Sequence, residues 1–80
     1  MLSKDMIVRD GLESRSAAHF VQNASRFKSH ILVRCDERQV NAKSIMGIIS
    51  LGILSGQTIT LTAEGEDEET AIEVLSNFLK

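Results

Sequence analysis

The stretch QTITLTAEG, residues 57–65, decides the fold because its side chains alternate between apolar and polar. Apolar residues occupy every second position, at Ile59, Leu61 and Ala63, and the positions between them are threonines. A period of two places these sets on opposite faces of a β-strand. The strand therefore belongs to a sheet with one face on a hydrophobic core and the other in water, and such a sheet needs one covering layer.

Three further stretches alternate in the same way and predict strands. They are residues 3–9, HILVRC at 30–35, where Leu32 departs from the pattern, and a short stretch at about 38–41. Asp36-Glu37 forms the turn between the last two, without the glycine that tight hairpins prefer. The sequence therefore predicts a four-stranded antiparallel sheet.

Helical spacing of apolar residues supplies the covering layer. Residues 14–27 predict one helix, with Ala17, Phe20, Val21, Ala24 and Phe27 on its buried side. Ser44 caps a short helix that ends near residue 51. Asp67 is the N-cap of the last helix, which buries Ala71, Ile72, Val74, Leu75, Phe78 and Leu79. The predicted order is β-α-β-β-α-β-α, an α+β domain with three helices on one face of the sheet.

Composition limits the class of protein. The chain has 80 residues, which indicates a single domain spanning 1–80. Its net charge of −2 and 4% aromatic content argue against direct binding to nucleic acid. No apolar run approaches the ~20 residues of a membrane span, and the N-terminus has no apolar signal core, so we expect a cytoplasmic protein with no membrane contact. Cys35 is the single cysteine, which favours a structural thiol in a reducing compartment.

The short helix in SIMGIISLG, residues 44–52, carries apolar residues on more than one face. Ile48 and Leu51 are three apart and are expected to face the sheet. Ile45, Met46 and Ile49 are expected to stay exposed and to form a docking surface, for which methionine is well suited. The alternative is that all five apolar side chains belong to the core.

VNAKSIMGIISLGILSG at 40–56, FVQNASRF at 20–27 and the acidic start of the last helix resemble the HPr phosphocarrier proteins of the sugar phosphotransferase system. The resemblance covers essentially the whole chain and implies an open-faced β-sandwich. It also implies phosphorylation of Ser44 by HPr kinase/phosphorylase. The exposed surface would then serve a LacI-type catabolite control transcription factor, with Arg15 close to it.

GLESRSA, residues 11–17, departs from the family motif G-[IL]-H-A-R-P-A. Glu13 stands in place of the phospho-accepting histidine, and Ser16 in place of the proline. The chain therefore resembles the catabolite-repression branch of Gram-positive bacteria, which lacks this histidine, although glutamine is that branch's usual replacement. His19 and His30 do not restore the site and are expected to be solvated. The alternative function is a phosphocarrier of the phosphoenolpyruvate-dependent phosphotransferase system.

No pattern indicates catalysis or a cofactor. EGEDEE, residues 64–69, lacks the ligand spacing of a calcium loop, so helix capping and solvation explain it better than a metal site. The expectation is a regulatory binding protein with no catalytic residues. Self-association through the apolar surface is a rival explanation of that surface, and a homodimer is left open.

Overall fold

The computed structural model describes residues 1–80. The elements are β1 (Leu2–Ile7), α1 (Ser14–Ser25), β2 (His30–Cys35), β3 (Arg38–Asn41), α2 (Ile45–Leu51), β4 (Thr58–Glu64) and α3 (Glu68–Leu79). The predicted order and the α+β class are confirmed, and the predicted β1 and α1 each run two residues too far at the C-terminal end. None of the three helices is long and apolar enough to cross a bilayer.

The four strands form one antiparallel sheet in the order β1-β4-β2-β3. β4 lies inside the sheet and pairs with both β1 and β2, so that Ala63 stands opposite Leu2 on one side and Ile31 on the other. β1 and β3 are the two edge strands. The most strictly alternating segment of the sequence is thus one of the two central strands of the sheet.

The two faces of β4 have the environments that its alternation predicts. Ile59, Leu61 and Ala63 are almost completely buried beneath the helices. On the open face, Thr60 Oγ1 donates a hydrogen bond to Asp5 Oδ1 at 2.6 Å, and the hydroxyls of Thr62 and Ser3 lie 3.2 Å apart. The open face is therefore polar and carries cross-strand hydrogen bonds, which makes the architecture an open-faced β-sandwich.

Two residues of α3 correct the predicted buried set. Phe78 is 37% exposed and Val74 is half-buried, whereas Ser76 is buried. Val74 and Phe78 lie on one flank of the stripe formed by Ala71, Leu75 and Leu79, and the helix is rotated toward its other flank. Ser76 tolerates this position because its hydroxyl donates to the Glu73 carbonyl at 3.1 Å.

Asp67 occupies the predicted N-cap position of α3, but its side chain makes no capping bond. The carboxylate instead accepts hydrogen bonds from the backbone N–H groups of Lys28 (2.8 Å) and Ser29 (2.9 Å) and from the Ser29 hydroxyl. These bonds, with the Ser29 hydroxyl first, hold the pKa of Asp67 below its usual value. The start of α3 is therefore tied to the loop between α1 and β2.

Cys35 lies at the end of β2, where the chain packs against the core, and is 5% exposed. Burial raises the pKa of its thiol, so the group stays protonated at neutral pH. Its environment is that of a structural cysteine, as the sequence indicates.

Candidate functional site

Ser44 begins α2 as its N-cap, as predicted. Its backbone is extended (φ −106°, ψ 111°), its Oγ accepts a hydrogen bond from Gly47 N–H at 3.1 Å, and its carbonyl accepts from Ile48 N–H at 3.0 Å. The side chain is exposed. The hydroxyl therefore lies at the surface, at the positive end of the helix dipole.

Gly47 leaves space beside that hydroxyl. A Cβ at this position would lie 3.2 Å from Ser44 Oγ and 3.2 Å from Val40 Cβ, closer than such contacts normally are. Glycine is unfavourable inside a helix. Here it keeps the Ser44 side chain from being crowded by the next turn.

Lys43, the basic neighbour of Ser44, is engaged elsewhere. Its Nζ donates a hydrogen bond to the Phe27 carbonyl at 2.7 Å, just beyond α1, and its backbone N–H donates to Asn41 Oδ1 at 2.8 Å. The ammonium group thus joins the start of α2 to the end of α1 and makes no hydrogen bond to Ser44.

The exposure of the apolar side chains of α2 depends on their angular distance around the helix from Ile48, which is completely buried. Ile45 and Leu51 lie about 60° to either side of it around the helix, since each residue turns ~100°, and both are half-buried. Ile49 is 40% exposed, and Met46, on the far side, is 72% exposed. The prediction that Ile45 is exposed is therefore wrong, because its position next to Ile48 brings it against the core. The exposed apolar patch consists of Met46 and Ile49, which we call the α2 patch.

Glu13 is the N-cap residue of α1, and its side chain is exposed. Its backbone N–H donates a hydrogen bond to Ser16 Oγ at 2.9 Å, and the Ser16 hydroxyl in turn donates to the Gly11 carbonyl at 3.1 Å. Ser16, the replacement for proline, therefore bonds back to the N-cap residue and to the chain that precedes it. Arg15 is exposed, as are His19 and His30.

The two helices run side by side in opposite directions. Leu12 N–H donates to the Ile53 carbonyl at 3.0 Å, which places the start of α1 beside the end of α2. The Lys43–Phe27 bond joins their other ends. Glu13 and Arg15 thus lie near the C-terminal end of α2, whereas Ser44 lies at its N-terminal end, separated by a helix of about 10 Å. Ser44 therefore lies at the same end of α2 as Met46, and the first turn of α1, which carries Arg15, lies beside the other end of the helix.

A shallow pocket of about 130 Å³ lies beside the start of α1. It is lined by Asp10, Gly11, Leu12, Ser16, Phe78 and Leu79. Ligand pockets usually measure ~300–1,000 Å³. No group of three His, Cys, Asp or Glu side chains is placed to hold a metal ion. The geometry therefore favours the surface of α2, rather than a cavity, as the functional site.

Arg38 is a residue at this site that the sequence does not reveal. It reaches from β3 to the C-terminal end of α2 and donates to the Ser50 carbonyl at 2.7 Å. A basic residue after a turn on an edge strand is ordinarily solvated, so only the tertiary structure identifies this contact.

Comparison with known proteins places the chain among characterised sequences and structures. A family profile described as "PTS HPr component phosphorylation site" matches residues 5–80. The HPr-like protein Crh of Halalkalibacterium halodurans is 53% identical over 73 residues, which cover 91% of this chain and 87% of the relative.

Solved structures of HPr and Crh proteins are also similar to this chain. The phosphocarrier protein HPr of Bacillus anthracis str. Ames superposes with a TM-score of 0.96 at 47% identity, covering 99% of this chain and 96% of that one. Crh of Bacillus subtilis, described as a swapped, intertwined dimer, gives a TM-score of 0.81 at 44% identity, covering 99% and 93%. HPr and Crh proteins are phosphocarriers or regulators rather than enzymes, and this chain is not an enzyme. It belongs to the HPr family, in the Crh-like branch that lacks the phospho-accepting histidine.

Proposed function

We propose that the chain is a cytoplasmic regulatory protein of carbon catabolite repression that is phosphorylated on Ser44 by HPr kinase/phosphorylase. The phosphorylated form acts as corepressor for a LacI-type catabolite control transcription factor. The observation that carries this proposal is the position of Ser44: an exposed hydroxyl at the start of α2, two and five residues before the exposed side chains of Met46 and Ile49.

The local electrostatics favour a phosphate at this position. A phosphoserine adds ~1.5–2 negative charges. At the N-terminus of α2 these charges meet the positive end of the helix dipole and free backbone N–H groups. The first turn of α2 has no acidic side chain that would repel them. The phosphate is therefore accommodated without a large rearrangement of the domain.

The same geometry explains why a partner would distinguish the two forms. Lys43 is bonded to the Phe27 carbonyl, and the only ion pair of the structure lies elsewhere, between the N-terminal ammonium and Glu68. In this proposal the partner supplies the cations that pair with the phosphate, while the α2 patch supplies apolar contact area. Arg15, toward the other end of the patch, is available to pair with an acidic residue of the partner.

The proposal is tested by incubating the chain with ATP and HPr kinase/phosphorylase and locating the modified residue by mass spectrometry. We expect one phosphate, on Ser44. Binding to the transcription factor is then measured with the unmodified and the phosphorylated chain, and we expect tight binding only for the latter. An affinity that phosphorylation leaves unchanged would reduce the chain to a constitutive docking module.

The alternative function is phosphate transfer from phosphoenolpyruvate to sugar permeases, and Glu13 argues against it. A carboxylate could form only an acyl phosphate, with a geometry different from that of a phosphohistidine. We expect no transfer to the chain from phosphoenolpyruvate and the general phosphotransferase enzyme, assayed with labelled phosphate. Glu13→His should restore transfer only partly, because Ser16 has taken the place of proline and its hydroxyl holds the helix start. Efficient transfer to the unmodified chain would support the phosphocarrier function instead.

B. subtilis Crh is described as a swapped, intertwined dimer. We also propose that this chain forms a homodimer, with β1 as the exchanged element. β1 is an edge strand whose one neighbour is β4. An exchanged β1 would make the same pairs with the β4 of a second chain. Sedimentation over a range of concentrations should show a species of twice the monomer mass, and a monomer throughout would contradict the proposal.

A further inference from the structure

Arg38 makes a bidentate contact with one residue of α2. Its Nη1 donates to the Ser50 carbonyl at 2.7 Å, and its Nη2 donates to Ser50 Oγ at 3.3 Å. Ser50 Oγ donates in turn to the Gly47 carbonyl at 2.7 Å. One guanidinium on β3 therefore holds two acceptors in the last turn of α2, and Ser50 connects it to the turn before.

α2 depends on such external contacts because it is intrinsically weak. It has seven residues, well below the length at which an isolated helix is stable in water, and it contains Gly47. Its last turn has no basic residue of its own. Arg38 supplies that positive charge from another element, at the negative end of the helix dipole.

We propose that Arg38 is a positioning residue for the docking surface: by binding Ser50 it fixes the C-terminal half of α2 and thereby the orientation of the α2 patch. This inference rests on the proposed function, because it assigns Arg38 a part in partner binding that involves no contact with the partner. Ile49 precedes Ser50 directly, so a displacement of the Ser50 carbonyl displaces the more C-terminal residue of the patch.

The benefit to binding is preorganisation. A partner that docks on a mobile helix must order it, and that entropy is subtracted from the affinity. Arg38 already orders the last turn of α2 in the free protein. A guanidinium that donates to two acceptors restricts both the distance and the angle between β3 and that turn. Ser44 and Arg38 thus secure opposite ends of the same helix, Ser44 by accepting from the Gly47 N–H and Arg38 by donating to the Ser50 carbonyl.

The test compares Arg38→Ala with a matched variant. Arg34→Ala removes the same charge from the same hairpin, but Arg34 lies on β2 and donates to the Asp36 carbonyl rather than to α2. In Arg38→Ala we expect amide exchange at Leu51 and Gly52 to accelerate about tenfold, as loss of a charge-assisted hydrogen bond implies. Exchange at Leu61, in the core strand β4, should stay close to wild type in both variants.

Partner binding provides the second measurement. The Ser44-phosphorylated Arg38→Ala chain should bind the transcription factor roughly 2- to 10-fold more weakly than phosphorylated wild type, because the partner must then order the end of α2 on binding. Arg38→Lys should recover part of the loss, because it retains the charge without the fork. Ser50→Ala should have the smaller effect, since the shorter of the two bonds goes to the backbone carbonyl. Arg34→Ala should bind like wild type.

The outcomes separate this inference from the proposed function. If Arg38→Ala and Arg34→Ala show the same exchange at Leu51 and Gly52, or the same affinity, Arg38 does not position α2. If Leu61 accelerates as much as Leu51, Arg38 acts on global stability and the inference is wrong. If phosphorylated wild type fails to bind at all, the proposed function is wrong, while the exchange comparison still decides whether Arg38 holds the helix.

Discussion

Ser44→Ala should abolish phosphorylation by HPr kinase/phosphorylase and, with it, phosphate-dependent binding to the transcription factor. The fold should persist, because the lost bond is one N-cap hydrogen bond to Gly47 N–H, which contributes ~1 kcal/mol. The effect on function is near complete since no other serine is equally placed. Mass spectrometry after incubation with the kinase and ATP, together with thermal unfolding, measures both halves of the expectation.

Two other serines serve as internal controls for Ser44→Ala. Ser50 lies in the last turn of α2, at the negative end of the helix dipole, and its hydroxyl already donates to the Gly47 carbonyl. Ser55 lies beyond the helix and donates to the Arg9 carbonyl. Ser50→Ala and Ser55→Ala should therefore retain full phosphorylation. Phosphorylation of Ser44→Ala would show that the modified residue is not Ser44, and the argument from its N-cap position would fail.

Ser44→Asp extends the test to the chemistry of the phosphate. One carboxylate brings a single charge on a shorter side chain, whereas a phosphoserine brings nearly two charges and three acceptor oxygens. We expect Ser44→Asp to cap α2 as well as serine does and to recover little partner binding. Recovery to the level of the phosphorylated chain would mean that the partner recognises charge alone.

Ile48→Ala and Met46→Ala should have opposite effects on stability and binding. Ile48 is completely buried, so its truncation should lower the free energy of unfolding by ~2–5 kcal/mol, which is a large part of the stability of a domain this small. Met46 is 72% exposed, so Met46→Ala should change the melting temperature little while weakening partner binding. Denaturant unfolding and affinity measurements on the same two proteins distinguish the effects.

Ile49→Ala and Ile45→Ala refine this comparison. Ile49 is 40% exposed and belongs to the α2 patch, so its truncation should weaken binding at a moderate cost in stability. Ile45 packs against the core and should respond more like Ile48. Equal destabilisation by Met46→Ala, Ile49→Ala and Ile48→Ala would show that the patch belongs to the core, and the docking argument would fail.

The fold was predictable because its signals are local. The alternation of Ile59, Leu61 and Ala63 determines which face of β4 is buried, and the Ser44 cap needs only the three residues that follow it. The exposure of Ile45 was predicted wrongly because a seven-residue helix presents two borderline positions beside its buried residue. Which of them touches the core depends on neighbouring elements, and a helical pattern alone does not specify that.

The tertiary part of the site was not predictable from the sequence. The carboxylate of Asp67 bonds to Ser29, 38 positions away, instead of capping its own helix. Arg38 bonds to Ser50, 12 positions away, across a turn and a helix start. The local pattern predicts that Asp67 caps its own helix and that Arg38 is solvated, and only the packing of separate elements provides the partners they have. The contacts that tie α3 to the loop before β2, and the end of α2 to β3, are therefore known from the structure alone.

The pairing of β1 with β4 has a consequence for how the protein folds during its synthesis. β1 leaves the ribosome before β4, and the pair Ser3 and Thr62 spans 59 positions of chain. At roughly 5–20 residues per second, translation needs roughly three to twelve seconds to deliver that partner. Through this interval β1 waits unpaired, and the completed β4 of a second nascent chain offers it the same register. In the proposed homodimer, this delay is the interval in which β1 of one chain can pair with the β4 of another before its own β4 has been made.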